Sequence, residues 1–105
     1  MNAYPKKIKC AVFDHIISVP AVICPVETLQ EFFSEKGIPL FIDGAHAVNQ
    51  VEVNMAQLKP AAYFSNFHKW SYTPKNAAFL YISDKYLSII RPALTGNLYN
   101  QGPSK

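Results

Sequence analysis

Asn66-Phe67-His68-Lys69-Trp70 follows a short apolar run, residues 61–64, from which only Ser65 separates it. A second stretch, Asp43-Gly44-Ala45-His46, directly follows another apolar run, residues 38–42. Apolar runs of this length that end in polar residues are typical of buried β-strands. Parallel strands of an open α/β sheet place their carboxyl ends on one edge, where such sheets bind ligands. The sequence therefore predicts that Asp43 and Lys69 face one crevice, with His46 and His68 beside them.

A helix is predicted at residues 25–36, ahead of the strand that ends at Asp43. Pro25 suits a first helical turn, and Gly37 suits the position just after a helix. The helix has an apolar stripe at helical spacing, formed by Val26, Leu29, Phe32 and Phe33. Residues 8–13 predict an earlier strand, which residues 14–18 continue, so the order is strand, helix, strand. This order predicts a right-handed βαβ unit and an α/β fold, a mostly parallel sheet with flanking helices in three layers.

The rest of the chain completes one domain with a core at residues 8–94. We expect a short helix at residues 54–58, a strand at residues 61–64 and another strand at residues 77–83. Asp84 is a plausible N-cap for a last helix at residues 85–90. Residues 1–7 are expected to form a loose start, and residues 95–105 an exposed, turn-rich tail.

Lys69 stands between His68 and Trp70 in a stretch with little other charge. A lysine among aromatic residues is expected to be desolvated, which favours the neutral, nucleophilic amine. Such amines form Schiff bases with carbonyl compounds, pyridoxal phosphate included. A pyridoxal site also needs an anionic partner for its pyridinium nitrogen, and Asp43 can fill that role. The alternatives are that Asp43 only caps a turn and that Lys69 is a solvated loop lysine.

At these two motifs the chain resembles the class V (fold type I) pyridoxal-phosphate-dependent aminotransferases. The resemblance is closest to the isopenicillin-N-epimerase-like branch and more distant to the cysteine desulfurases. Weaker matches are Asp14-His15-Ile16-Ile17-Ser18 and Tyr99-Asn100-Gln101-Gly102. The resemblance covers residues 8–102 and implies a fragment of the large, cofactor-binding domain. The N-terminal part of that domain and the C-terminal small domain are expected to lie outside this sequence.

The resemblance implies a role for each matching residue. Lys69 forms a Schiff base with pyridoxal 5′-phosphate and moves protons at the α-carbon of an amino-acid substrate. Asp43 keeps the pyridine nitrogen protonated. Asn66 and His68 contact the phosphate, while His46 and Ser18 lie near the phenolic oxygen of the ring. A complete enzyme of this type is a transferase, isomerase or lyase and forms a homodimer.

Several elements that such an enzyme needs are missing from the sequence. There is no glycine-rich phosphate loop, since the four glycines are scattered at positions 37, 44, 96 and 102. The chain alone is therefore not expected to be catalytically active. One alternative is a non-catalytic remnant or partner-binding module that keeps the fold. A further alternative is a cysteine-desulfurase-like protein. It ranks lower because Cys10 and Cys24 lie outside the segment that carries the reactive cysteine in those relatives.

Composition argues against other classes of protein. The net charge is +3, but the basic residues are spread along the chain, which disfavours a nucleic-acid-binding stripe. No apolar run approaches the length of about 18–20 residues that spans a membrane. His15, His46 and His68 are too widely spaced for a metal clip, so no metal site is predicted. The alternative for His15 is a structural residue at the end of a strand. The alternative for His46 is a histidine packed in the core. A reduced, cytoplasmic setting is expected.

Overall fold

A computed structural model describes residues 8–95, which form an α/β structure. The elements in chain order are β1 (Ala11–Asp14), β2 (Ile16–Ile17), β3 (Val22–Ile23), α1 (Val26–Glu35), β4 (Leu40–Asp43), α2 (Met55–Leu58), β5 (Ala62–Asn66), β6 (Ala78–Ile82) and α3 (Asp84–Leu87). The predicted α/β fold, with its mostly parallel sheet and flanking helices, is confirmed. Residues 1–7 and most of the predicted tail lie outside the described part of the chain.

The main sheet has four strands in the order β1-β4-β5-β6. Strand β4 pairs in parallel with β1 and with β5, and β6 runs antiparallel to β5. Asp14 is in register with Asp43, and Asp43 with Phe64. Strands β1, β4 and β5 therefore end at one edge, as the two polar motifs predicted.

Helix α1 follows the sequence signals closely. It begins after Pro25 and ends at Glu35, one residue inside each end of the predicted range. Gly37 has a φ of +64°, a left-handed conformation that glycine adopts without the steric cost of a side chain. Val26 is fully buried at the start of the apolar stripe, whereas Phe32 is 49% exposed. The apolar stripe thus packs the helix against the core through Val26 more than through Phe32.

The core lies between one face of the sheet and the two helices α1 and α2. Its buried members are Val26, Leu40, Ile42, Leu58 and Tyr63. Because side chains alternate along a strand, the neighbouring positions point to the opposite face. There Val12 is 60% exposed and Leu80 is 57% exposed. Within residues 8–95, the helices that build the core thus cover one face, so two of the three predicted layers are present.

Several element boundaries differ from the prediction: β1 begins at Ala11 and not at residue 8, β5 runs to Asn66 and not to residue 64, and α3 ends at Leu87 and not at residue 90. The first strand does not run on through residue 18, because β1 ends at Asp14 and the chain bends at His15. The backbone N–H of His15 still donates to the Asp43 carbonyl at 2.8 Å, and the chain then forms the small β2–β3 hairpin. Helix α3 begins at Asp84, and its N-cap is Ser83 rather than Asp84. Helix α2 agrees with the prediction, since the Asn54 side chain accepts a hydrogen bond from the Gln57 backbone at its start.

The tight turn after β4 depends on the absence of a side chain at position 44. A Cβ atom there would overlap the ring and the hydroxyl of Tyr63. Tyr63 is fully buried in β5, and its ring stacks on Phe79 of β6 at a centroid distance of 6.1 Å. Gly44 therefore makes room for a core tyrosine. Packing against Tyr63 thus explains why this position has no side chain.

Gly44→Ala should lower the free energy of unfolding by about 1–3 kcal/mol, since overpacking forces the Tyr63 ring or the turn to move. Urea denaturation of the 105-residue chain measures this loss. Tyr63→Leu destabilises the chain on its own, but it vacates the space beside position 44. In the Tyr63→Leu background, Gly44→Ala should therefore cost less, and equal costs in the two backgrounds would contradict the proposed overlap.

Candidate active site

The ends of β1 and β4 and the loops that follow β1, β4 and β5 line an open pocket of about 210 Å³ at the predicted edge of the sheet. The residues that line this pocket are Asp14, Ile16, Ser18, Asp43, Ala45, His46 and Lys69. Four of the six predicted site residues thus come together: Ser18, Asp43, His46 and Lys69. Asn66 and His68 lie on the adjoining segment and do not line the pocket.

Asp43 ends β4 and is half-buried. Its Oδ1 atom accepts a hydrogen bond of 2.8 Å from the backbone N–H of Ala45, which fixes the turn that carries His46. The turn-capping role weighed from the sequence is therefore real. It uses one carboxylate oxygen, and within residues 8–95 the second oxygen has no hydrogen-bond partner. One carboxylate can both hold the turn and receive a donor from the pocket.

Lys69, His46 and Trp70 form a connected group. The Nζ atom of Lys69 lies 3.0 Å from Nε2 of His46, and Nε1 of Trp70 donates to Nδ1 of His46 at 3.4 Å. The turn at residues 68–70 places both partners against the same imidazole. His46 is half-buried, so the core-histidine alternative does not describe it. Its ring nitrogens face the site and not the core.

The prediction that Lys69 is desolvated is wrong, because its side chain is exposed. Trp70 is itself 39% exposed and does not shield the amine from solvent. Position next to aromatic residues in the sequence did not translate into burial, since consecutive turn residues point in different directions. Among the described residues, the side-chain contact of this amine is with Nε2 of His46.

Asn66 and His68 each carry a buried polar atom that has no partner among residues 8–95. These atoms are Oδ1 of Asn66 and Nδ1 of His68. Asn66 lies two positions beyond Phe64, which is in register with Asp43, so Asn66 and Asp43 lie on the same face of the sheet. Burying a polar group without a hydrogen bond costs free energy, and most such groups in folded proteins have a partner. Both side chains therefore have unused hydrogen-bonding capacity next to the pocket.

A buried pair beneath the site was missed from the sequence. His15 is only 4% exposed, and its Nδ1 lies 2.9 Å from the Tyr63 hydroxyl. Burial lowers the pKa of His15, while the charge of Glu27 partly opposes this. Burial also raises the pKa of Tyr63, and the charge of Asp43 adds to the increase. Tyr63 therefore stays protonated and donates to a neutral His15. The two residues are 48 positions apart, so no local sequence signal marks the pair.

Comparison with known proteins gives the family. Residues 3–104 match the family model for the class V aminotransferases. The chain belongs to this family. L-cysteine desulfhydrase of Arabidopsis thaliana is 38% identical over 81 residues, which cover 76% of this chain and 18% of that protein. Isopenicillin N epimerase of Streptomyces clavuligerus is 29% identical over 80 residues, with 76% and 20% covered.

Solved structures agree with this assignment. The apo structure of a cysteine desulfurase from Thermococcus onnurineus superimposes with a TM-score of 0.79 at 26% identity, covering 85% of this chain and 22% of that one. This class V chain thus spans about a fifth of the length of its curated relatives. Class V aminotransferases and their desulfurase and desulfhydrase relatives depend on pyridoxal 5′-phosphate. The predicted family, fold and cofactor are confirmed at this level.

Among residues 8–95 of the class V chain, no helix is long and apolar enough to cross a membrane. No cluster of three or more histidine, cysteine, aspartate or glutamate side chains there has an arrangement that could hold a metal ion.

The stability of the chain should depend on the protonation of His15. Because its pKa is lower in the folded chain than its ordinary value of about 6.5, the unfolded chain binds more protons below that pH. The free energy of unfolding should therefore be fully retained above pH 6.5 and fall as the pH drops towards the folded pKa. Urea denaturation between pH 7.5 and pH 5 measures this slope.

His15→Gln removes the titrating group and should flatten the acid side of the profile. A matched His68→Gln variant measures how much of the slope comes from a histidine outside the buried pair. An acid slope that is unchanged in His15→Gln would show that the burial of His15 does not control it.

Proposed function

We propose that this chain carries the cofactor-attaching lysine, Lys69, of a class V enzyme that acts on an amino-acid substrate. The observation that supports this most is the meeting of Lys69, His46 and Asp43 in one pocket at the carboxyl edge of the sheet. An amine, an imidazole and a carboxylate at that edge supply a nucleophile, a proton carrier and a fixed negative charge. The relatives named above include a desulfhydrase and an epimerase, so the reaction type proposed is that of a lyase, isomerase or transaminase.

The residues present fit pyridoxal 5′-phosphate. A phosphate group needs hydrogen-bond donors, and the buried Nδ1 of His68 donates in its Nδ1-protonated form. The Asn66 amide presents an N–H donor at the same buried end when it is rotated by half a turn. The second oxygen of Asp43 suits a protonated pyridine nitrogen, and His46 and Ser18 line the same pocket. When bound, this cofactor withdraws electrons from the α-carbon of an amino acid.

Each protein group has a separate task in the proposed reaction. Lys69 would hold the cofactor through its Nζ atom, with the carbonyl oxygen leaving as water, and its free amine would take up and return the proton at the substrate α-carbon. One carboxylate oxygen of Asp43 keeps the turn in place. The other would stabilise the positive charge of a protonated pyridine nitrogen. Because Asp43 accepts a hydrogen bond from the backbone of Ala45 and His46 lies three residues after Asp43, one turn orients both groups.

Turnover is assigned to a complete enzyme, since this chain spans about a fifth of its relatives. The predicted homodimer and cytoplasmic setting belong to that complete enzyme and are part of the same proposal. The non-catalytic remnant or partner-binding module makes a different prediction, namely no preferential reaction of Lys69 with the cofactor.

Pyridoxal 5′-phosphate followed by borohydride reduction should label Lys69 in preference to the other lysines of the 105-residue chain. Mass mapping of the reduced adduct gives the labelled position. Lys75 is the matched control, because it is an exposed lysine six residues away in a turn. Lys69→Arg should abolish the preferential label while leaving the charge in place. Equal labelling of Lys69 and Lys75 in a folded chain would favour the non-catalytic reading.

His68→Ala should reduce labelling by the phosphate-bearing cofactor roughly tenfold, which matches the loss of one hydrogen bond to a charged group. Labelling of Lys69 by pyridoxal, which has no phosphate, should stay unchanged in the same variant. The ratio of the two labelling yields therefore isolates the phosphate contact from any general damage to the site. A parallel decrease with both reagents would contradict phosphate binding by His68.

A further inference from the structure

We propose that Asn49 and Ser71 are positioning residues, whose hydrogen bond holds the turn that carries Lys69 against the turn that carries His46. The inference rests on the proposed function, since it concerns where the Lys69 amine stands when it meets the cofactor. The side-chain amide of Asn49 donates to the Ser71 hydroxyl at 2.9 Å, across 22 positions of the chain. Neither residue lines the pocket, so both act through the turns that bear the site.

The two turns have the same construction. In the first, residues 44–48, a backbone hydrogen bond joins the two ends, and Asn49 follows with a φ of +65°. In the second, residues 67–71, the equivalent bond is 3.0 Å long, and Tyr72 follows with a φ of +55°. Each is a single helical turn that ends at a left-handed residue, as helices commonly do. The bond between Asn49 and Ser71 therefore joins the far ends of two similar turns.

The turns are thereby connected at two points. His46 and Lys69 each occupy the third position of their turn, and Nε2 of His46 lies 3.0 Å from Nζ of Lys69. The bond between Asn49 and Ser71 is the second connection. Two bodies that touch at one point rotate about it, whereas a second contact removes that rotation. The second bond therefore sets the direction in which the Lys69 turn faces the pocket.

The backbone at both left-handed positions agrees with this role. Asparagine is one of the few residues other than glycine that adopt this conformation readily, and here its side chain also reaches the other turn. Tyr72 has a bulky side chain, for which a positive φ is unfavourable. Its side chain is 91% exposed, so packing does not offset that cost. Such strain persists where the surrounding contacts determine the backbone, and the neighbouring Ser71 provides one of them.

Position matters for Lys69 because burial does not supply it. The side chain is exposed, so its place depends on the turn that bears it. Reactive groups have to be held close to the geometry of attack, and a misplacement of about 1 Å slows a reaction strongly. A hydrogen bond that holds the turn is thus expected to affect how readily Lys69 reacts with the cofactor.

Two variants remove this bond from opposite sides. Asn49→Gly removes the side chain and keeps a left-handed backbone, which glycine adopts freely. Ser71→Ala removes the hydroxyl and leaves the first turn unchanged. The measurement is borohydride-fixed labelling of the 105-residue chain by pyridoxal 5′-phosphate, with the yield at Lys69 divided by the yield at Lys75. Ser71→Thr keeps the hydroxyl and serves as the conservative variant.

The Lys69/Lys75 ratio should fall about threefold in each single variant, which corresponds to about 0.6 kcal/mol and lies in the range of one hydrogen bond. The double variant Asn49→Gly/Ser71→Ala should have the same ratio as either single variant, because all three lack the same bond. Ser71→Thr should retain the original ratio. An unchanged ratio in the single variants, or two losses that multiply in the double variant, would overturn the inference.

Labelling by pyridoxal separates positioning from phosphate binding. The pair holds the turn and contacts no phosphate, so the ratio should fall by the same factor with pyridoxal and with its phosphate. A decrease confined to the phosphate-bearing reagent would assign the pair to phosphate binding and reject its role in positioning Lys69.

Amide hydrogen exchange distinguishes a failure of this inference from a failure of the proposed function. The backbone N–H of Ser71, which donates to the Phe67 carbonyl, should exchange faster in Asn49→Gly, while the amides of β5 keep their rates. Equal labelling of Lys69 and Lys75 in the unaltered chain, with this change in exchange, rejects the function and keeps the connection between the turns. Preferential labelling of Lys69 that ignores the pair supports the function and rejects the role of Asn49 and Ser71. Faster exchange throughout β5 would show general destabilisation and also reject that role.

Discussion

The site depends on how the Tyr63 side chain is packed under the turn after β4. Tyr63 is fully buried, bonds to His15 at the end of β1, stacks on Phe79 of β6 and leaves no room for a side chain at position 44. One side chain thus contacts the ends of β1 and β4 as well as β6, while belonging to β5 itself. Since the interior of a protein is densely packed, a shift of this ring displaces the turn that carries Asp43 and His46.

Above this packed layer, the candidate site is built from hydrogen bonds more than from burial. Lys69 is exposed, and its defined neighbour is an imidazole whose other nitrogen is bound to Trp70. Asp43 lines the pocket and uses one carboxylate oxygen to hold the turn. Such an arrangement places reactive groups precisely on loops that follow rigid strands. It leaves the pocket open to the solvent and to a ligand.

The uneven burial of the sheet agrees with the length of the chain relative to its family. One face of the sheet packs against α1 and α2, while Val12 and Leu80 on the other face are largely exposed. The matched segment is about a fifth of the length of the class V relatives, and the superimposed desulfurase shares 22% of its length with this chain. The described residues contain the edge at which Lys69 and Asp43 line one pocket, together with the unpartnered polar atoms of Asn66 and His68.

The sequence by itself determined the order of the elements and the edge of the sheet where the polar motifs meet. Helix α1 was predictable because its apolar spacing, Pro25 and Gly37 are local signals that depend on neighbouring residues only. The convergence of Asp43 and Lys69 was predictable because parallel strands place their carboxyl ends on one edge. The family followed from the same two motifs, since their order and spacing are specific.

The tertiary structure alone decided which side chains touch. The His15–Tyr63 pair joins residues 48 positions apart, and the need for glycine at position 44 arises from a ring on a neighbouring strand. The exposure of Lys69 and the contact of Trp70 with His46 depend on how one turn is oriented towards another. Local patterns indicate where along the chain a strand or a helix lies. Contacts between distant residues are set by packing, which a local pattern does not contain.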